Sequence, residues 1–172
     1  MSASSIWDVP ILSALLATFL GTLAMWWLYF GTSSKDATDA ITRSDDPGRI
    51  GAYFHYAHAI LVAGIIATAV GNDLVLAHPH DGLKIAYALT LSGGPAIYLL
   101  GSAIYKRIVF GVVPVSHIAG IVALLILTAV APFVDLLTMG WLTTIVMFGI
   151  GFWEGRLHRA RHAGADNRPA GH

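Results

Sequence analysis

The sequence predicts an all-α fold, an integral membrane bundle of five transmembrane helices with the amino end outside and the carboxyl end inside. The first observation is a set of five stretches free of Asp, Glu, Lys and Arg: Val9 to Ser34, Ile50 to Asn72, Ile85 to Tyr105, Ile108 to Val134 and Leu136 to Trp153. A hydrocarbon core of about 30 Å takes about 20 helical residues to cross, and hydrocarbon tolerates no unpaired backbone, so runs of this length read as spanning helices. The second is the placement of the 10 Lys and Arg residues. Lys35, Arg43, Arg49, Lys106, Arg107, Arg156, Arg159, Arg161 and Arg168 fall on one side of the implied membrane, and only Lys84 on the other. Basic residues are retained in the cytoplasm, which sets the orientation, and the acids of the first loop count little in that rule.

Taken in order, the helices are expected at about 9–30, 50–72, 83–105, 112–132 and 136–153. Trp26, Trp27, Tyr29 and Phe30 close the first with an interfacial aromatic belt, and Met-Ser-Ala-Ser-Ser lacks the positive flank of a secretory signal, so this run is read as a retained helix. Asp46-Pro47 is a capping acid followed by a first-turn proline, the order found at a helix start. Asp81 is expected to cap the third helix in the same way, Pro114 to open the membrane part of the fourth, and Pro132 with Asp135 to mark a short outer turn. Trp141 and Trp153 sit near the two ends of the fifth run and support a short full crossing. The loop over 31–47 and the basic tail over 156–172 are polar, read as a linker and a disordered cytoplasmic end.

Composition excludes several functions. With no cysteine there is no disulfide, thiolate nucleophile or ordinary iron–sulfur ligand set. A formal charge of zero and no long basic tract give no reason to propose nucleic acid as a partner; membrane lipid is the expected one. No catalytic or cofactor motif is complete, so the chain is read as non-enzymatic, with no cofactor. His58 to Val70 and His117 to Val130 share a leading His and an Ala-Gly-Ile, a likeness that apolar composition alone can produce.

A family resemblance is carried by short motifs in order over residues 20 to 110. They are Trp26-Trp27-Leu28-Tyr29-Phe30, Ser44-Asp45-Asp46-Pro47-Gly48-Arg49, Tyr56-Ala57-His58 with Val62-Ala63-Gly64-Ile65, Ala77-His78-Pro79, and Gly93-Gly94 with Tyr98-Leu99-Leu100-Gly101. In these the chain resembles the bacterial low temperature requirement A family, and in particular its carboxyl-terminal half. The resemblance implies a multi-pass inner-membrane protein, linked to growth in the cold and without a settled biochemical activity. Members are about twice this length, and their earlier Arg- and Glu-bearing helices have no counterpart here. A second copy or a separate chain supplying the missing half is therefore an expected partner. Gly31 also departs from the family pattern, which usually continues with an acid.

Three sets of residues are candidate sites. His55 and His58 on the second helix and Ser116 and His117 on the fourth are expected at similar depth in the cytoplasmic half. Ionisable groups inside a membrane are functional hypotheses by default, so a proton-linked or solute pathway is the sharp reading. Hydrogen-bonded helix packing is its rival, and haem held between His58 and His117 a more distant one. Ser92-Gly93-Gly94-Pro95 could open the third helix in mid-membrane, where freed backbone groups line transporter sites, or could simply pack closely. His78, His80 and Asp81 in the outer loop carry metal-ligating chemistry with no fourth ligand beside them. Gly151 and Gly155 have the spacing for close helix approach, with Glu154 beside them at the membrane edge. The cations of the tail are read as an anchor against anionic lipid.

Overall fold

The computed structural model describes residues 8–31, 42, 46–81 and 84–166, with side chains described as far as Leu157. Most of the expected 31–47 linker, the end of the tail and the tail cations Arg159, Arg161 and Arg168 lie outside that description. Five helices among the described residues are long and apolar enough to cross a membrane. They are α1 (Val9–Phe30), α2 (Pro47–Ala77), α3 (Ile85–Phe110), α4 (Val115–Val130) and α5 (Leu136–Asp166). A short 3-10 turn, Ala131–Phe133, extends α4.

Helix ends follow local chemistry. Asp46 accepts the Arg49 backbone N–H at 3.0 Å and Pro47 occupies the first turn, so α2 starts where the acid–proline pair places it. Asp135 caps α5 through the Thr138 N–H at 2.8 Å. Asp81 does not cap α3: Lys84 stands at that position, and Asp81 instead donates its own N–H to His78 O at 3.1 Å in the preceding turn. The third helix also runs five residues past its expected end, to a left-handed Gly111 (φ 73°) that only glycine adopts without strain. Lys106 therefore belongs to the helix and not to the connection. In the same way α5 continues through Glu154 to Asp166, so the first part of the expected tail is helical.

The helix α3 is the central pillar. Half of its membrane window is buried, against 22% for α2, which lies at the periphery. The two pack antiparallel through four glycines spaced as heptads. A Cβ on Gly64 would fall 2.7 Å from Tyr98 Cα, and one on Gly101 2.8 Å from Leu61 N. At Gly94 it would fall 2.5 Å from Thr68 N, and at Gly71 3.2 Å from Leu91 Cα. Absent side chains let the two backbones touch, the usual means of tightening helices where lipid supplies no hydrophobic drive.

On the other side, α1 lies against α5. Ala14, Ala17 and Ala24 are buried there, Thr144 donates to Ala17 O at 3.0 Å, and the Trp141 indole donates to Ser13 at 2.9 Å. Tyr98 ties α3 to α1 by donating to Met25 O at 2.5 Å. The core lies where these helices meet, with Met25, Leu28, Leu61, Leu99, Leu124, Met147 and Ile150 around Tyr98.

Candidate functional site: a buried ion cluster and a membrane-facing groove

Three helices deliver ionisable side chains to one point near the end of the bundle where α4 begins. Ser102 and Lys106 are four apart on α3 and so share a face. Ser116 and His117 lie in the first turn of α4, and Glu154 projects from α5. His117 is 0% exposed, Lys106 4% and Glu154 9%, so the charges are withdrawn from both water and lipid. Lys106 Nζ is paired with Glu154 Oε2. The other carboxylate oxygen lies 3.2 Å from His117 Nδ1 and accepts from the Ser116 hydroxyl at 3.2 Å. His117 Nε2 is 2.9 Å from Ser102 Oγ.

These partners determine the imidazole chemistry. A neutral ring with its proton on Nδ1 donates to Glu154 and accepts from Ser102, which satisfies every polar atom of the ring. A second proton, on Nε2, turns Ser102 from donor to acceptor by rotation of one hydroxyl. The cluster then passes from zero to one net positive charge without any helix moving.

The expected set of His55, His58, Ser116 and His117 is thus distributed over different surroundings. Ser116 and His117 join Glu154, whereas His58 lies 3.1 Å from the Tyr29 hydroxyl and packs edge-on to Tyr29 and Tyr105. His55 is exposed on α2. Ser102, the partner of His117, follows Gly101, where a Cβ would meet Leu61 N, and His58 is one helical turn from Leu61. The two imidazoles have separate partners.

Around Ser92-Gly93-Gly94-Pro95 the helix is continuous. Gly94 is occupied in packing against α2, Gly93 has nothing within 4 Å of its would-be Cβ, and Ser92 hydrogen-bonds Thr128 of α4 at 2.5 Å and donates to Ala88 O at 2.7 Å. The missing amide of Pro95 does not open the helix, because close contact with α2 holds the backbone on both sides. In the outer turn, His78 pairs with Asp81 at 3.5 Å while His80 reaches Asp135 at 3.8 Å. The three metal-ligating side chains therefore do not converge, and among the described residues no three His, Cys, Asp or Glu gather around one point.

Lys106 and Glu154 escaped the sequence reading for one reason. Charged residues were used to bound the apolar runs, which placed both outside the spans. The available signal was the four-residue spacing of Ser102 and Lys106 on a helix whose glycine stop lies only at Gly111.

A cavity of about 420 Å³ lies between α1 and α2. Met25, Trp26 and Phe30 wall it on one side and Leu61, Val62 and Ile65 on the other, with Tyr98 behind. His58 and Tyr29 stand at one end and Asn72 at the other. A Cβ on Gly151 would fall 3.3 Å from the Trp27 ring, so this half of the expected GxxxG pair leaves room for the indole.

Such a molecule is a helical bundle with five described helices long and apolar enough to cross a membrane and a buried ion cluster towards one end. The chain belongs to the bacterial low temperature requirement A family, whose model matches residues 1–152. The match extends well past the motifs of residues 20 to 110. It is 37% identical over 138 residues to an uncharacterised protein of Rhizobium meliloti (strain 1021). That alignment takes in 80% of this chain and 34% of the relative, so the chain spans about a third of the length of the curated relative it matches. No solved structure matches.

Proposed function

We propose that the protein is a proton-responsive, transport-related component of the bacterial inner membrane. In this reading His117 is the proton-binding group and Glu154 and Lys106 are its electrostatic partners. The observation that carries it is the meeting of three ionisable side chains from α3, α4 and α5, each at most 9% exposed, in a helical bundle of membrane type. A buried ion pair is a costly way to hold helices together. Apolar residues of similar volume commonly serve as well or better, by about 1–4 kcal/mol. Intramembrane charge of this kind is characteristic of proton relays and solute paths.

Proton uptake would act through the carboxylate. A protonated His117 competes with Lys106 for Glu154, weakening the clamp between α3 and α5. Tyr98 on α3 is a further titratable group near Glu154, and it is engaged with Met25 O. The orientation proposed from the cation distribution places the cluster in the cytoplasmic half, with the amino terminus outside and the carboxyl terminus inside. A second copy or a separate chain is the partner proposed to complete the pathway.

The test is proton flux in vesicles carrying a trapped pH dye, with an imposed pH gradient. Flux above that of empty vesicles, lost in His117→Asn and Glu154→Gln with folding retained, is the expected result. Flux unaltered by both substitutions would remove the cluster from the pathway. A structural reading is favoured by one observation, the completeness of hydrogen bonding around Glu154. It predicts no flux in the parent and reduced thermal stability in both variants.

A further inference from the structure

We infer that the Ser102 hydroxyl is the relay through which a proton reaches and leaves His117. The inference deepens the proposed function and rests on the reading of His117 as the proton-binding group, but it is read out on the imidazole itself and not on transport. A ring that is 0% exposed exchanges no proton with water directly, so each nitrogen is served by whatever touches it. Nδ1 is closed off, with Glu154 Oε1 at 3.2 Å and Ser116 Oγ at 3.3 Å. An ionised carboxylate only accepts, so Nδ1 carries the hydrogen of the neutral ring and a second proton is taken on Nε2. Ser102 Oγ covers that atom at 2.9 Å and is itself on a residue 2% exposed. Glu154 from α5 meets Nδ1, and Lys106 from α3 is held by Glu154, which leaves Ser102 as the group with a transferable hydrogen at Nε2.

The hydroxyl is set for this use. Thr68, Ser92, Thr128 and Thr143 turn theirs back to a carbonyl four residues earlier in their own helix, as hydroxyls inside helices commonly do. Ser102 instead directs its hydroxyl across to α4. With the ring neutral it donates to Nε2. In the transfer the Ser102 O–H bond breaks as the Nε2–H bond forms, and Oγ takes a replacement proton from a hydronium ion admitted beside it. The ring gains one positive charge and the serine is regenerated, with no alkoxide left behind. The new hydroxyl hydrogen then needs an acceptor other than Nε2, and the Tyr98 carbonyl, four residues back, stands where a helix offers one. Ser92 shows the arrangement on the same helix, donating to Ala88 O at 2.7 Å while lying 2.5 Å from Thr128 of α4. Release of the proton runs through the same steps in reverse.

The experiment uses the full chain in nanodiscs with 15N in the histidine rings. It measures by NMR the exchange of the His117 Nε2 proton with water in mild acid, His117→Asn assigning the signal. Ser102→Thr and Ser102→Val both add a branch at Cβ, and only the first keeps a hydroxyl. Exchange in Ser102→Thr should match the parent, whereas Ser102→Val should slow it by about a hundredfold, the low end of what a positioned proton-transfer group contributes. A role in packing alone would move the stability of both variants alike and leave their exchange equal. Should the added bulk unfold both, Ser102→Ala removes one oxygen without overpacking and should also slow exchange. Equal exchange in the Thr and Val variants, or in Ser102→Ala and the parent, overturns the relay. So does a parent ring whose Nε2 stays unprotonated throughout the acid range in which the bundle is folded, an outcome that removes the proton-binding reading with it. Exchange that depends on the hydroxyl, in a parent that passes no protons across vesicles, supports the relay and removes transport alone.

Discussion

Two interfaces of α3 solve the same problem by opposite means. Against α2 it presents Gly94 and Gly101, and the backbones of the two helices come into direct contact without a single charged side chain. Against α4 and α5 it presents Ser102 and Lys106, and contact is made by a hydrogen-bonded ion cluster. The first interface is specified by shape; the second is specified by charge and includes the imidazole of His117. A bundle that needed only rigidity could have used the glycine solution twice. Charge at the second interface is what makes that interface a candidate for responding to a proton.

The largest expected effect lies at the shape-specified interface. Gly94→Val puts a branched side chain into the α2 backbone at Thr68, and Gly64→Val does the same at Tyr98. Neither backbone can move without separating the helices, so each substitution should cost about 3 kcal/mol or more. Fluorescence-detected gel filtration after a heating series would show loss of the folded peak. The adjacent Gly93→Val supplies the control, because open space surrounds its would-be Cβ and little change is expected. Equal behaviour at positions 93 and 94 would mean that α2 and α3 do not approach as closely as described.

At the charge-specified interface, Lys106→Met leaves Glu154 buried without its cation and should cost about 3–5 kcal/mol. The double variant Lys106→Met/Glu154→Leu removes both charges and should recover most of that loss. Recovery of stability together with loss of any proton flux would separate the two roles of the cluster. Failure of the double variant to recover would show that packing around Ser116 and His117 depends on the charge itself.

How much of this was legible in the sequence differs between the same two interfaces. Spanning helices are written in the absence of charge, and the five were readable to within a few residues at most ends because Asp46-Pro47, Pro114 and Asp135 punctuate them. Gly64, Gly71, Gly94 and Gly101 were visible as residues, but their use depends on a register between α2 and α3 that apolar periodicity does not encode. Lys106 and Glu154 were assigned to the membrane edge, because a charge ends an apolar run whether or not it is paired in three dimensions. His117 is visible in the sequence as a polar group within an apolar run; its partners, 15 and 37 residues away along the chain, came only with the fold. Asp81 shows the converse failure, a good capping residue left unused because Lys84 stands at the cap position of α3.

A smaller effect is expected where a neutral bond joins helices from the two sides of the bundle. Tyr98→Phe removes the donor to Met25 O while keeping the ring in the core. Interhelical hydrogen bonds in membranes average about 0.6 kcal/mol, so a modest drop in thermal midpoint is the expected reading. A drop as large as that of Lys106→Met would mean that this bond fixes the position of α1 on α3.

An effect of similar size lies outside the membrane, at the cap of α5, and its pH dependence has a definite sign. Hydrogen bonding to Thr138 holds the Asp135 carboxyl below its usual range, assisted by the nearby His80 imidazole and opposed by partial desolvation. A carboxyl with a lowered folded-state value contributes stability above its unfolded value of about 3.9 and loses it as the pH falls through the folded value. The contribution is therefore intact at neutral pH and disappears only in strong acid. Asp135→Ala should cost about 1 kcal/mol at pH 7, the ordinary worth of a helix cap. Asp135→Asn keeps an oxygen for the Thr138 N–H and should lose less, while removing the acid-dependent part. Thermal midpoints of the three proteins at pH 7 and pH 3 decide the matter: the parent and Asp135→Asn should draw together in acid. A gap that widens there instead would place the pH sensitivity of this end of the bundle in His80 and not in the carboxylate.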